Sequence, residues 1–234
     1  MTASEGAFSP ERSDRFAARL AGVVFIAATT ASIAGSVLLP DASDVDYAAL
    51  LAAQAPNVAG SALLTLVAAF SSAGIAVVLY PVLRRYGPTL ATASVVFRAI
   101  EAAMYILGVV ILLSILSLGL DSTGDDAARL LATETLRSLR SHASLAGVFA
   151  FCLGALAYYA LFLIVPLAPR WLSGAGIVAI ALMLVACVLA LVADREITSY
   201  VALALPIAVQ EMVLAVWLIV KGFELPAPRQ DASA

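Results

Sequence analysis

The chain has 234 residues, of which 63% are hydrophobic and 12% are charged, and its mean hydropathy is +1.03. Soluble domains are about half apolar and about a quarter charged, so this composition excludes an ordinary soluble protein and indicates a lipid environment. The formal net charge is only −3 and the basic residues are scattered, which argues against the basic stripe that nucleic-acid binding requires.

The first helical element is predicted from its cap and from the length of its apolar run. Ser9-Pro10-Glu11 places a capping serine before a proline at the first helical position, so a helix begins there. The apolar run that follows, from Ala17 to Leu39, covers about 23 residues, which is right for a membrane span and too long for a signal-peptide core. Ser43, Asp44 and Asp46 then precede Tyr47–Ala53, which is predicted to be a capped short helix at the membrane surface and to be ended by Pro56.

Five further spans are predicted from their apolar length. They cover about Asn57–Val82, Leu90–Leu118, Ala143–Pro166, Leu172–Ala193 and Tyr200–Val220. Between the third and fourth spans, Asp125–Ser141 reads as an amphipathic helix, for which an interfacial connector is favoured over a lid. The prediction is an all-α bundle of six transmembrane helices in one domain, 1–234, with polar tails at 1–14 and 223–234.

The basic residues predict the orientation of the bundle. With both termini inside, the cytoplasmic side holds eight basic residues and the outer side four. The inner set is Arg12, Arg15, Arg19, Arg84, Arg85, Arg170, Lys221 and Arg229, and the outer set is Arg129, Arg137, Arg140 and Arg195. The preference for Arg over Lys and the abundant alanine indicate a bacterium of high GC content. The chain is therefore predicted to be a multi-pass protein of a bacterial cytoplasmic membrane.

Three ionisable residues fall inside predicted spans. A charge at mid-membrane costs at least about 2.5–3.5 kcal/mol, so such residues usually face each other or a watery cavity. Ser94, Arg98, Glu101 and Tyr105 share one face of the third span, and Glu211 lies in the sixth. Arg98 is roughly 16 Å from the inner end of its span and Glu211 roughly 15 Å from its own, so the heights match. Arg98 is predicted to bridge to Glu211, with Glu101 as second partner and Gln210 or Tyr105 nearby.

The role of this polar cluster is left open between two interpretations. One guanidinium cannot neutralise two carboxylates in a low-dielectric site, so one acid is expected to be protonated and the site to exchange protons. The functional interpretation is a binding or proton-relay site, and the structural one is a staple that fixes which helices pair. The two carry equal weight from the sequence alone.

The remaining chemistry-bearing residues do not predict a reaction. Cys152 and Cys187 lie in apolar runs and His142 is isolated, and zinc, thiol and serine-hydrolase motifs are missing from the sequence. We predict no catalytic residue, metal or cofactor. The leading hypothesis is a non-enzymatic accessory or small-ligand-binding bundle, ahead of a proton-coupled transporter and an intramembrane lipid-modifying enzyme. The expected partners are the lipid bilayer and a small polar ligand or a proton; oligomerisation is left open.

Five short motifs are distributed along nearly the whole chain. They are Arg19-Leu20-Ala21-Gly22, Leu79-Tyr80-Pro81-Val82-Leu83-Arg84, Phe97-Arg98-Ala99-Ile100-Glu101-Ala102, Pro169-Arg170-Trp171-Leu172, and a final segment from Glu211 through Trp217 to Lys221-Gly222. Together they resemble a bacterial family of membrane proteins known only as a domain of unknown function (number four-three-eight-six). The resemblance implies six membrane helices and no particular activity, and its motifs include Arg98, Glu101 and Glu211.

Overall fold

A computed structural model describes residues 10–41, 46–121 and 125–224, and within these ranges it holds helices and turns but no strand. The helices are α1 (Pro10–Val37), α2 (Tyr47–Ala53), α3 (Ala55–Leu83), α4 (Pro88–Leu120), α5 (Asp126–Ile164), α6 (Arg170–Ala193) and α7 (Val201–Val220), with a 3₁₀ turn, Ile197–Tyr200, before α7. Six of these described helices, all except α2, are long and apolar enough to cross a membrane. The predicted six-span bundle is confirmed, and most of the predicted tails lie outside the described residues.

The amphipathic segment between the third and fourth spans is helical, but it is not a separate helix. It forms the first part of α5, which runs for 39 residues without interruption. Neither glycine nor proline occurs between Asp126 and Ala146, so the backbone has no reason to break where the sequence analysis ended the connector. At about 1.5 Å per residue α5 is roughly 58 Å long, so its first turns extend beyond a hydrocarbon layer of about 30 Å.

The six long helices form a closed ring. Each packs against its neighbour in chain order, and α7 closes the ring by packing against α1. Large apolar side chains such as Val37, Phe70 and Val192 are exposed on the outside, where lipid takes the place of water. Helices α4 and α7 lie on opposite sides of the ring, so a contact between their side chains has to cross the middle of the bundle.

The inner end of the bundle is defined by contacts between the start of α1, the two loops at 84–87 and 165–169, and the residues after α7. Arg85 Nη1 lies 2.8 Å from Asp14 Oδ2, and the amide of Glu224 donates to the carbonyl of Leu167 at 2.9 Å. Helix α7 ends at Val220, and the chain turns at Gly222, whose φ of 78° favours glycine. That the inner end faces the cytoplasm stays a prediction.

The outer end is covered by α2, the start of α5 and the 3₁₀ turn. The predicted short helix is capped at its start, and the cap is Asp46, whose carboxylate accepts from the amide of Ala49 at 3.4 Å. Helix α2 packs against α4 beside Gly119, where an added Cβ would lie 2.0 Å from the Ala48 carbonyl oxygen. Only a glycine permits this approach, which fixes α2, and therefore Tyr47, above the ring.

Candidate functional site: a charged cluster below an outer cavity

Arg98 is the centre of the polar interior. Its side chain is 2% exposed, and it reaches across the ring from α4 to α7, where Nη2 lies 3.2 Å from Glu211 Oε1. The other terminal nitrogen, Nη1, donates to Glu101 Oε2 at 2.9 Å and to Ser72 Oγ at 3.0 Å. One guanidinium therefore links α3, α4 and α7 in a region from which water is excluded, where charge-assisted bonds are strong.

Aromatic side chains of α5 complete the surroundings of this guanidinium. Tyr158 donates to Glu211 Oε1 at 3.0 Å, and the Arg98 Cζ lies 4.7 Å from the Phe151 ring centroid, within cation–π range. Helix α5 can come this close because Gly154 has no side chain: an added Cβ would lie 3.1 Å from Arg98 Cγ. We call Ser72, Arg98, Glu101, Tyr158 and Glu211 the Arg98 cluster.

A second set of hydrogen bonds ties α5, α6 and α7 together next to the cluster. Gln210 Nε2 donates to the carbonyl of Leu172 at 3.0 Å, and the hydroxyl of Tyr159 donates to Gln210 Oε1. Tyr159 also packs against Tyr158, with ring centroids 4.5 Å apart. Every helix from α3 to α7 thus contributes to one connected polar interior.

The structure places the six site residues predicted from the sequence in four different settings. Arg98, Glu101 and Glu211 are in direct contact, and Gln210 lies in the adjoining set. Ser94 is 1% exposed, but its hydroxyl makes no hydrogen bond with a described residue. Tyr105 is outside the Arg98 cluster and lines the cavity described below.

Sequence reasoning missed three polar members of the interior: Ser72, Tyr158 and Tyr159. The tyrosine pair carries a usable signal, since a buried tyrosine needs a partner for its hydroxyl. Helical spacing within a single span does not reveal which face points into the ring of helices, so the hydrogen-bond partners of the two tyrosines could not be predicted.

An outer cavity of about 480 Å³ lies between α1, α3, α4 and α5 and is roofed by α2 and the 3₁₀ turn. Charged side chains at its rim are Arg137, Arg140 and Glu196, hydroxyls along its walls are Ser32, Ser36, Ser61, Thr65, Ser141 and Ser144, and apolar side chains include Met104, Val109 and Leu112. Its innermost lining residues on α3 and α4 are Ala68 and Met104, which are four and three residues, or about one helical turn, from Ser72 and Glu101 of the Arg98 cluster. The cavity therefore stops just above the charged centre.

Tyr47 has an unusual position in the wall of this cavity. It is 1% exposed, yet its hydroxyl makes no hydrogen bond with a described residue. The guanidinium of Arg137 lies 5.9 Å from the centroid of its ring. Burial raises the pKa of the Tyr47 hydroxyl, with Arg140 and Arg137 opposing this, so the hydroxyl is protonated and available as a donor at neutral pH.

Comparisons with known proteins identify the family without adding an activity. No curated protein and no solved structure matches the chain. One family model matches residues 20–222, which include the six spans except for the first turns of α1. With its ring of six helices and its charged centre, the chain belongs to the family described as Domain of unknown function (DUF4386).

Proposed function

We propose that this protein is a non-enzymatic membrane bundle that binds a small ligand in the outer cavity, and that the Arg98 cluster holds the spans in place beneath the ligand. The cavity carries the proposal. Its volume of about 480 Å³ falls in the range of small-molecule sites, and its mixture of apolar walls with a few polar groups is typical of them.

The packing of the Arg98 cluster supports a structural role for it. The Arg98 and Glu101 side chains are 2% and 3% exposed, and the guanidinium contacts Ser72, Glu101 and Glu211. Phe151 and Tyr158 occupy the space beside it. A ligand would have to displace protein groups to reach these charges, whereas the outer cavity offers free volume.

Proton-coupled transport is the second candidate, favoured by one observation: the cluster sets a single guanidinium against two carboxylates. An intramembrane acid with no cation of its own is a common feature of proton relays. Proteoliposomes loaded with pyranine test this. If a cavity-binding solute drives a pH change with wild-type protein but not with Glu211→Gln, the function is transport and not binding alone.

The proposal predicts that filling the cavity abolishes ligand binding. Gly108 lines the cavity and has no atom within 4 Å of an added Cβ, so Gly108→Phe places a ring in open space. Gly174 on α6 is equally free but does not line the cavity, so Gly174→Phe is the matched control. Both variants are expected to fold.

Binding is measured as a rise in the unfolding midpoint. The two cysteines are buried and free, so a thiol-reactive coumarin maleimide reports unfolding directly. The probes are soluble carboxylates, phosphates, amines, amino acids and alcohols. At least one class should stabilise wild-type protein and Gly174→Phe but not Gly108→Phe. Equal responses in all three proteins, or no response to any probe, would overturn the proposal.

A further inference from the structure

Two arginines lie at the rim of the outer cavity, and only one of them forms an ion pair with a described residue. Arg137 Nη1 lies 2.9 Å from Glu134 Oε1, so its charge is matched within α5. Arg140, three residues later and half-buried, has no carboxylate of a described residue within ion-pair distance. A partly desolvated guanidinium with no carboxylate in direct contact is unusual, because burial makes an unmatched charge expensive.

A second unmatched donor lies next to Arg140. The Tyr47 hydroxyl is buried and interacts with Arg140; since a guanidinium can only donate, the hydroxyl proton itself has no acceptor among the described residues. An unpaired buried hydroxyl costs about 1–3 kcal/mol, and this one lines a cavity in which an acceptor can reach it. Two adjacent donors, one of them cationic, are best satisfied by the same anionic oxygen acceptor.

We infer that the ligand of the outer cavity is a small amphipathic anion, a carboxylate or phosphate with a short apolar chain, whose acidic group binds Arg140 and Tyr47. The inference rests on the proposed function and specifies its ligand class. Below the rim, Met104, Val109 and Leu112 on α4 line the wall and accommodate the apolar chain. A fully polar ion would leave this surface without contacts.

Glu196 provides a way to test the sign of the charge on the ligand. It lies in the same lining, and its Oε2 accepts from the Thr198 hydroxyl at 3.2 Å. Its negative charge opposes an anion and would attract the ammonium group of a zwitterion. Removing the charge in Glu196→Gln should therefore tighten binding of an anion and weaken binding of an amino acid.

Five probes with the same six-carbon chain test the inference: hexanoate, hexyl phosphate, hexylamine, hexanol and 2-aminohexanoate. The protein is held in phosphatidylcholine nanodiscs, and the unfolding midpoint is read by the coumarin maleimide. Hexanoate and hexyl phosphate should stabilise the wild-type protein most, and Glu196→Gln should increase that effect. Repeating the series with phosphatidylglycerol in the disc distinguishes the source: if an anionic lipid headgroup occupies the site, the lipid itself should raise the midpoint and the soluble anions should add less.

The anion-binding residues are tested with variants matched for charge. Arg140→Gln should weaken hexanoate binding about tenfold or more, as expected for loss of a charge-assisted hydrogen bond. Arg129→Gln is the control, since Arg129 is on the same helix, pairs with Asp126 and does not line the cavity. Tyr47→Phe should weaken hexanoate binding without lowering the midpoint of the ligand-free protein, because the hydroxyl it removes is unpaired there.

The outcomes separate the inference from the proposed function. If hexylamine, hexanol or 2-aminohexanoate stabilises the protein in a manner that Gly108→Phe abolishes, and hexanoate and hexyl phosphate do not, the cavity binds ligands but the anion assignment is wrong. Equal loss of hexanoate binding in Arg129→Gln and Arg140→Gln would also overturn the assignment. If no probe acts on any variant, the proposed function fails as well.

Discussion

The Arg98 cluster and the outer cavity are two polar regions inside one ring, about one helical turn apart, and they handle their polar groups in opposite ways. In the cluster, protein groups meet the charge of Arg98 through three close contacts. At the cavity rim, Arg140 has no carboxylate partner among the described residues and the Tyr47 hydroxyl has no acceptor among them. Both regions cost desolvation energy, but the cluster recovers much of it within the protein, since among its buried side-chain atoms only Arg98 Nε has no hydrogen-bond partner in the described residues.

Whether a buried polar group has a partner distinguishes a structural cluster from a binding site better than the presence of a charge does. An intramembrane ion pair whose charges meet within the protein specifies which helices meet, and the Arg98 cluster does so by joining opposite sides of the ring. At the rim, by contrast, unmatched donors border free volume, where a ligand can reach them. The more conspicuous charges in the sequence are therefore the structural ones, and the less conspicuous rim is the candidate site.

The largest expected difference between the two regions is in water access. In a background of Cys152→Ala and Cys187→Ala, Thr65→Cys places a thiol in the cavity wall, and Ser72→Cys places one two turns deeper in the Arg98 cluster. A charged methanethiosulfonate reagent should modify the first and leave the second untouched. The measurement is the mass shift of the purified protein after exposure.

The same pair of variants tests the predicted orientation. Applied to intact cells, an impermeant reagent should modify Thr65→Cys, because the cavity opens at the end predicted to face outward. Modification only in inverted vesicles would reverse the orientation. Modification of Ser72→Cys at a similar rate would show that the cluster is hydrated, and the distinction between a filled region and an open one would be lost.

The next largest effect is expected from removing the charge of Arg98. Arg98→Met leaves Glu101 and Glu211 buried without a cation, which should lower the free energy of unfolding by about 3–5 kcal/mol. The measurement is titration with sodium dodecyl sulfate in mixed micelles. Arg129→Met, which breaks a half-exposed pair at the outer end, should change the free energy by less than about 1 kcal/mol.

A compensated variant shows whether the Arg98 cluster is a staple. Combining Arg98→Met with Glu101→Gln and Glu211→Met removes the unmatched charges together, and most of the lost stability should return. Its binding of cavity probes should also survive, since none of the three side chains lines the cavity. Loss of binding in a well-folded triple variant would place the cluster in the site.

Much of the fold, and one contact across the interior between α4 and α7, could be predicted from the sequence. Apolar run length alone located the six spans, because lipid imposes that length. Counting residues from the inner end put Arg98 and Glu211 at one height, and they are in contact. The junction within α5 could not be placed, because a polar residue such as His142 ends a hydrophobic pattern without ending a helix.

The outer cavity was beyond prediction for a different reason. Its walls come from elements far apart in the chain, and its volume depends on how tightly those helices approach. Tyr47 shows the difficulty: the residues around it in the sequence predict a short surface helix, but they do not predict that the tyrosine side chain is buried. Gly119 sets that approach, and a glycine in a span has no unique interpretation in the sequence.

A smaller contrast is expected from adding a methyl group in each region. Gly176 lies against Tyr159, and an added Cβ would be 2.7 Å from the ring, so Gly176→Ala should destabilise the protein by about 1–3 kcal/mol through overpacking. Gly108→Ala points into the cavity and should be neutral or stabilising by up to about 1 kcal/mol through helix propensity. Detergent titration of both variants measures the difference, and equal destabilisation would mean that the cavity is as tightly packed as the centre.

The smallest contrast compares two tyrosines that differ in their surroundings. Tyr158→Phe removes a hydrogen bond to Glu211 and should cost about 0.6–1.5 kcal/mol, because no water can replace the lost donor beside a buried carboxylate. Tyr105→Phe alters a side chain at the deep end of the cavity, where solvent can take the place of the hydroxyl, so its cost should be close to zero. Both substitutions remove one oxygen from a tyrosine inside the same ring of helices, so a larger cost at Tyr105 than at Tyr158 would mean that the cavity floor, and not the Arg98 cluster, is the rigid part of the interior.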